Sequence, residues 1–225
     1  MSKKSKVVAI VVSAGSGRRM GTDKTFLRLL DKPLIAWPLS VLQNCEPVDE
    51  IVLVLHGNKI EKGREMVNKY EFTKVKTICP GGGLRQDSVK NGLSQIKGCE
   101  WVIIHDGARP YLTEKLVLDG LDAAGQTGAA VAAVTVKDTI KQCNDGELVQ
   151  KTLERKNLRS IQTPQVFRFD IIKKAYITVN EEVTDDSSLV EKAGFKVKLY
   201  PGDHNNIKIT TPEDIALAEF IAKNR

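Results

Sequence analysis

Apolar residues in this chain come in two arrangements that alternate along its length. Val7-Val8-Ala9-Ile10-Val11-Val12 is an unbroken, largely β-branched run, and Glu50 to Leu55, Val75 to Ile78, Trp101 to Ile104 and Ala129 to Val134 are further strand candidates. Short runs apolar on both faces are what the buried strands of a parallel sheet require. Between them, apolar positions recur every three or four residues, which predicts helices over Pro33 to Gln43, Lys59 to Lys69, Arg85 to Ile96 and Glu114 to Ala124. Pro33 stands where a first helical turn favours proline. This alternation predicts βαβ units, and hence an α/β fold with a mostly parallel sheet flanked by helices in a single domain over residues 1–225. On such a sheet, ligands bind beyond the carboxyl ends of the strands.

The pattern changes between about residues 136 and 155. Lys137 to Gln142 and Leu148 to Leu153 alternate and are half polar, with Asn144-Asp145-Gly146 between them, so a β-hairpin with an Asp-Gly turn is predicted. A two-stranded arm is barely stable alone, and it is expected to project and to pack on something, such as another subunit. Near the end, Thr211-Pro212-Glu213-Asp214 has the order of a helix start, with Thr211 as N-cap and Pro212 at the first helical position. Lys208 then stands isolated between Ile207 and Ile209, in what reads as a short strand.

Composition narrows the class. With 225 residues, 41% hydrophobic and 28% charged, the chain has enough material for a soluble globular core without metal or disulfide staples. The net charge of +6 permits nucleic-acid binding, but the cations are scattered and aromatics are only 5%, too few to stack on bases. The charge fits solubility together with a small polyanionic substrate better. Cys45, Cys79, Cys99 and Cys143 lie far apart, which argues against a zinc site or disulfide framework and for a reducing cytoplasm. Lys3-Lys4-Ser5-Lys6 precedes a run too short for a signal peptide's core, and nothing approaches the length of a membrane span.

The first apolar run empties into Ser13-Ala14-Gly15-Ser16-Gly17-Arg18-Arg19-Met20-Gly21-Thr22-Asp23-Lys24. Small residues let backbone N–H groups approach an anion, and Arg18, Arg19 and Lys24 supply charge that a neutral ligand would not need. The spacing matches neither the P-loop, since Asp23 precedes Lys24-Thr25, nor the dinucleotide fingerprint, since Met20 takes the place of its third glycine. What is left is a nucleoside triphosphate loop that keeps its cations for the reaction, favoured over a solvated turn with ordinary surface arginines.

Two further glycine-bearing segments follow strands, Cys79-Pro80-Gly81-Gly82-Gly83-Leu84-Arg85-Gln86-Asp87-Ser88 and His105-Asp106-Gly107-Ala108-Arg109-Pro110. Asp106, at the end of a buried strand, is suited to hold Mg²⁺ against phosphate oxygens, and this reading outweighs a turn-capping role. Arg109 reads equally as a structural ion pair and as a substrate clamp.

These pieces, together with Asp138-Thr139, Gln162-Thr163-Pro164-Gln165-Val166-Phe167, Thr184-Asp185-Asp186 and Asn206-Ile207-Lys208-Ile209-Thr210, resemble in their order the 2-C-methyl-D-erythritol 4-phosphate cytidylyltransferase family of the non-mevalonate isoprenoid pathway. The ordered set spans nearly the whole chain. The resemblance implies a Rossmann-like nucleotidyltransferase fold, a homodimer and a need for Mg²⁺. It implies that Arg19 and Lys24 contact the triphosphate and the transition state, and that Ala14, Gly15, Gly17, Gly82 and Ser88 form the nucleotide site. By the same resemblance Asp106 serves the metal, Gly107 approaches the ribose, and Thr139, Arg155 and Lys208 bind the acceptor, with Thr139 and Arg155 on an arm that reaches the partner's site.

The implied chemistry is a single in-line displacement in which the acceptor phosphate attacks the α-phosphorus of CTP. A phosphate dianion needs no strong general base, and His105, the nearest candidate, is expected to be structural. The rivals are a ribitol 5-phosphate cytidylyltransferase on the same scaffold and a non-catalytic nucleotide-binding regulator. Joint retention of Lys24, Asp106 and Lys208 favours an enzyme over the regulator.

Overall fold

The computed structural model describes residues 5–15, 25–144 and 146–224. Its strands are β1 (Val7–Ser13), β2 (Arg28–Leu29), β3 (Lys32–Pro33), β4 (Glu50–Leu55), β5 (Val75–Pro80), β6 (Trp101–Asp106), β7 (Ala129–Thr135), β8 (Lys141–Cys143), β9 (Val149–Thr152), β10 (Arg159–Arg168) and β11 (Lys198–Pro201). Its helices are α1 (Ala36–Asn44), α2 (Ile60–Lys69), α3 (Arg85–Ser94), α4 (Glu114–Thr127), α5 (Phe169–Thr178), α6 (Asp186–Lys192) and α7 (Pro212–Lys223). Seven strands form one sheet in the order β11-β7-β10-β6-β1-β4-β5. All neighbours pair in parallel except β10, which runs antiparallel to both β6 and β7. The expected mostly parallel sheet flanked by helices is therefore what the chain forms.

Successive residues of β1 point to opposite faces, as strand geometry demands. Val7, Ala9 and Val11 join Leu39, Met66 and Val117 from α1, α2 and α4 in one core. Val8, Ile10 and Val12 join Val89, Ile172 and Leu189 from α3, α5 and α6 in the other. Val8 to Val11 have almost no exposed surface, which explains why that run carries no polar residue. A third, smaller cluster packs α7 onto the β2–β3 ribbon through Leu29, Leu34, Tyr111, Ile209, Ala218 and Ile221. It brings the tail of the chain beside the end of β6.

Three local expectations change. Pro33 belongs to β3 and not to a helix start; α1 begins at Ala36, with Pro38 in its first turn, where a missing N–H is harmless. The arm does form an antiparallel hairpin, but among the described residues its left-handed position is Glu147 (φ 60°), and Asn144 N donates to Leu148 O at 3.2 Å, so the connection is longer than a two-residue Asp-Gly turn. Asp145 lies outside the described residues. Lys208 lies in an extended segment that belongs to no strand; Ile209 N is fastened to Ala108 O at 2.9 Å. The helix start at Thr211 is as expected: Asp214 accepts from the backbone of Thr210 and Thr211. Among the described residues no helix is long and apolar enough to cross a membrane.

Candidate active site

The carboxyl ends of β1, β4, β5 and β6 lie side by side, because Ser13 pairs with Leu55, Leu55 with Pro80 and Val12 with Asp106. Everything that follows those strands therefore meets at one edge. A cavity of about 470 Å³ opens there, lined by Ala14, Gly15, Thr25, His56, Gly82, Gly83, Arg85, Ser88, Asp106 and Lys208 among others.

One end of the cavity is built from small residues packed to their limit. A methyl group on Gly81 would stand 2.2 Å from the Ala14 Cβ and 2.6 Å from Ser88 Oγ, so only glycine admits this approach of the residues that follow β1 and β5. Ser88 Oγ accepts from Gly82 N at 3.1 Å and donates to Leu84 O at 3.0 Å, which leaves one acceptor lone pair. Asp87 Oδ2 accepts from Leu84 N at 3.0 Å and fixes the loop where it enters α3. A flat, hydrogen-bonding ligand such as a base suits this end.

The other end is ionic. Asp106, with a side chain only 9% exposed, faces Lys208 Nζ at 2.7 Å, Arg85 Nε at 3.0 Å and Arg109 Nε at 4.0 Å. Burial alone would raise its pKa, but the charges of Arg85, Lys208 and Arg109 overrule it and hold the carboxyl well below the usual carboxylate range. Arg109 also donates from Nη1 to Asn206 O at 2.7 Å, which ties the end of β6 to the Lys208 segment. Arg109, with a side chain 11% exposed, thus forms the structural ion pair expected of it and turns its charge toward Asp106.

His105 is fully buried, and both its ring nitrogens are engaged. Thr163 Oγ1 accepts from Asp106 N at 3.0 Å and is 3.1 Å from His105 Nδ1, while Nε2 lies 3.1 Å from Arg109 O. A carbonyl can only accept, so Nε2 carries the proton and Nδ1 accepts from the hydroxyl. Desolvation then pushes the imidazole down to about 4. His105 is a neutral brace under the site and has no nitrogen free to take a proton from a substrate.

Of the residues singled out from sequence, Ala14, Gly15, Gly82, Ser88, Asp106 and Lys208 line this one cavity. Gly107 lies just beneath it: its N donates to Val12 O at 2.9 Å, and a methyl group there would meet the Ser13 Cβ at 3.0 Å. Thr139 and Arg155 are elsewhere, exposed on the arm, where Arg155 donates to Lys137 O at 2.6 Å and lines a separate open hollow with Thr135, Lys156 and Arg159. Gly17, Arg19 and Lys24 lie outside the described residues. Three residues were given no role from sequence. Arg85 and Asp186 sit inside quoted motifs, yet the contact that joins them spans 101 positions. His56, which follows β4 and lines the cavity, carries no sequence signal beyond its place after a strand.

Comparison with known proteins agrees with this geometry. Residues 7–224 match the family described as IspD: 2-C-methyl-D-erythritol 4-phosphate cytidylyltransferase. A protein of that name from Dehalococcoides mccartyi is 52% identical over 219 residues, covering 97% of this chain and 96% of its own. Another from Clostridium novyi is 46% identical over 227 residues, with 98% of each chain covered. Among solved structures, the 4-diphosphocytidyl-2C-methyl-D-erythritol synthase of Anaerococcus prevotii superposes with a TM-score of 0.86 at 31% identity, covering 98% of this chain and 100% of its own. The 2-C-methyl-D-erythritol 4-phosphate cytidylyltransferase of Thermus thermophilus superposes with a TM-score of 0.79 at 30% identity, covering 97% and 99%. This chain belongs to the 2-C-methyl-D-erythritol 4-phosphate cytidylyltransferase family, and its fold is that of an α/β nucleotidyltransferase.

Proposed function

We propose that this chain transfers the cytidylyl group of CTP to 2-C-methyl-D-erythritol 4-phosphate, giving 4-diphosphocytidyl-2-C-methyl-D-erythritol and pyrophosphate. The observation that carries the residue-level reading is the cavity itself, with a tight base-sized end at Ala14, Gly82 and Ser88 and a cationic end around Asp106. CTP lies with its base at the first end and its phosphates toward the second. Lys208, half-exposed and able to turn from Asp106, receives the acceptor's phosphate. An acceptor phosphate oxygen bonds to the α-phosphorus of CTP as the α-phosphorus-to-oxygen bond to pyrophosphate breaks. The nucleophile is already anionic, which agrees with a site whose histidine is a buried brace. Arg19 and Lys24 are the groups we assign to the triphosphate and the transition state. Positioning and charge neutralisation then account for the rate.

Asp106 also suits magnesium. It is a hard oxygen donor held ionised, with acceptor positions left beside Arg85 and Lys208. Among the described residues no three His, Cys, Asp or Glu side chains gather, so the remaining ligands would be phosphate oxygens and water, as is usual for magnesium beside nucleotides. When bound, the ion supplies charge neutralisation at the triphosphate.

The arm supports a homodimer. Leu148 and Val149 are 70% and 58% exposed on it, and Thr139 and Arg155 stand away from the cavity, so we assign them to the acceptor site of a second copy. The cysteines Cys45, Cys79, Cys99 and Cys143 are all free, which fits a cytoplasmic location.

The decisive assay follows pyrophosphate release with Mg²⁺ and CTP, comparing methylerythritol 4-phosphate with ribitol 5-phosphate. Release with the first alone is expected. Release with the second alone would keep the chemistry and change the acceptor, and binding of CTP without turnover on either would sink the enzymatic reading.

A further inference from the structure

Arg85 lies across two carboxylates that come from distant parts of the chain. Its Nε donates to Asp106 Oδ1 at 3.0 Å and its Nη1 to Asp186 Oδ2 at 2.8 Å. Asp106 borders the cavity; Asp186 does not, and its side chain is only 1% exposed. Asp186 is itself held, because its other oxygen accepts from Tyr176 OH at 2.6 Å. The helix that carries it is fastened too: Asp185 Oδ1 accepts from Ser188 N at 3.1 Å, and Gln165 of β10 both donates to Asp185 at 2.7 Å and accepts from Ser187 N at 3.1 Å. The first turn of α6 is thus a fixed post against the sheet, and the planar guanidinium is a strut from that post to Asp106.

A carboxylate this deeply buried is costly to desolvate and is tolerated only with ion pairs and hydrogen bonds to compensate it. Asp186 touches no part of the cavity, yet it consumes half of the hydrogen-bonding capacity that Arg85 directs at carboxylates. Arg85 lines the cavity and is 27% exposed, so without Asp186 it would be tethered through Asp106 alone, with its Nη1 end released beside the phosphate-binding space.

We infer that Asp186 is a positioning residue for the transfer step: through Arg85 it fixes the Asp106 carboxylate and keeps the charge of Arg85 out of the space reserved for phosphates. The inference rests on the reading above that phosphates occupy the Asp106 end. It carries a signature that ordinary structural damage lacks. Loss of the post frees a cation, so CTP binds as well as before or more tightly, while the misplaced carboxylate slows turnover.

The test is Asp186→Asn, which keeps the shape of the side chain but removes the charge and leaves one acceptor oxygen where Tyr176 and Arg85 now use two. Its kcat is expected to fall by about 10- to 100-fold, the range for a small misplacement of a reacting group, with the Kd for CTP, measured by calorimetry, unchanged or lower. Arg85→Lys, a point cation that cannot bridge both carboxylates, is expected to lose kcat to a similar degree. Tyr176→Phe, which loosens Asp186 but leaves both ion pairs of Arg85 in place, is expected to lose less kcat than Asp186→Asn. Wild-type kcat in Asp186→Asn would overturn the inference, as would a joint loss of kcat and CTP affinity, or an equal loss in Tyr176→Phe. If the wild-type protein itself releases no pyrophosphate with CTP and methylerythritol 4-phosphate, the proposed function fails instead, and the two failures are told apart by that control.

Discussion

Lys208 donates to Asp106 Oδ2 at 2.7 Å, and by doing so it joins the tail of the chain to the end of β6. The pair sits where a phosphate acceptor would compete for the lysine. Lys208→Ala is expected to raise KM for methylerythritol 4-phosphate by about tenfold or more, the worth of one charge-assisted hydrogen bond, with a smaller change for CTP. Steady-state kinetics varying each substrate separates the cases, and a larger effect on CTP would place Lys208 at the nucleotide.

Arg19 and Lys24, outside the described residues, are assigned to charge that develops during transfer. Arg19→Ala and Lys24→Ala are each expected to lower kcat by about a hundred- to a thousand-fold, as loss of one preorganised donor typically does. Single-turnover rates at saturating CTP read this directly. Near wild-type rates in both variants would remove them from the mechanism.

Gly81 tests the base-binding end. Its closest neighbours, the Ala14 Cβ at 2.2 Å and Ser88 Oγ at 2.6 Å from where a Cβ would stand, lie just after β1 and in α3 rather than at flexible tips. Gly81→Ala must push these elements apart, at about 1–3 kcal/mol of overpacking. A weaker Kd for CTP in a variant that still folds is the expected result; undiminished CTP binding would show that this contact does not shape the site.

His105 sets an acid limit. Its pKa is pushed down to about 4 in the folded protein by burial, from 6.5 in the unfolded chain. Between those values only the unfolded state takes up the proton, so stability falls as pH drops from about 6.5 toward 4, by about 3 kcal/mol in all. Below that range Asp106 continues the trend, because a carboxylate whose folded pKa is depressed loses its contribution as it becomes protonated. Urea titrations of the metal-free protein between pH 7 and 4 measure the slope, and His105→Gln is expected to flatten it above pH 4.

The arm predicts complementation between subunits. A mixture of Lys208→Ala and Arg155→Ala protomers is expected to recover activity above either variant alone, because one site of each mixed dimer then holds both native side chains. No recovery in a preparation shown by sedimentation to be dimeric would place Arg155 in its own subunit's site.

Much of the fold was legible because its signals are local. The β-branched run from Val7 to Val12 is buried on both faces, and a stretch that carries no polar residue can sit nowhere else in a water-soluble sheet. The breaks at Gly15, Gly81 to Gly83 and Gly107 mark the ends of strands, and a parallel sheet places such ends on one edge whatever the side chains are. Pro33 misled because proline suits a strand ribbon's edge as readily as a helix start, and packing of Leu29 and Leu34 under α7 decided between them. The ten-residue β10 was masked by its polar first half, and its antiparallel course leaves no trace in composition.

The sequence by itself determined the alternation of strands and helices, the edge at which the site would form, and the types of side chain that reach it. Periodicity and turn chemistry act within a few residues, so they are readable from order alone. Only the tertiary structure decided that Asp106 shares its charge among Arg85, Arg109 and Lys208, that His105 is spent between Thr163 and Arg109, and that Asp186 holds Arg85 from outside the cavity. Those contacts join segments as far apart as Asp106 and Lys208, or Arg85 and Asp186, and electrostatic partners at such separations are chosen by where the sheet brings them rather than by anything written beside them in the chain.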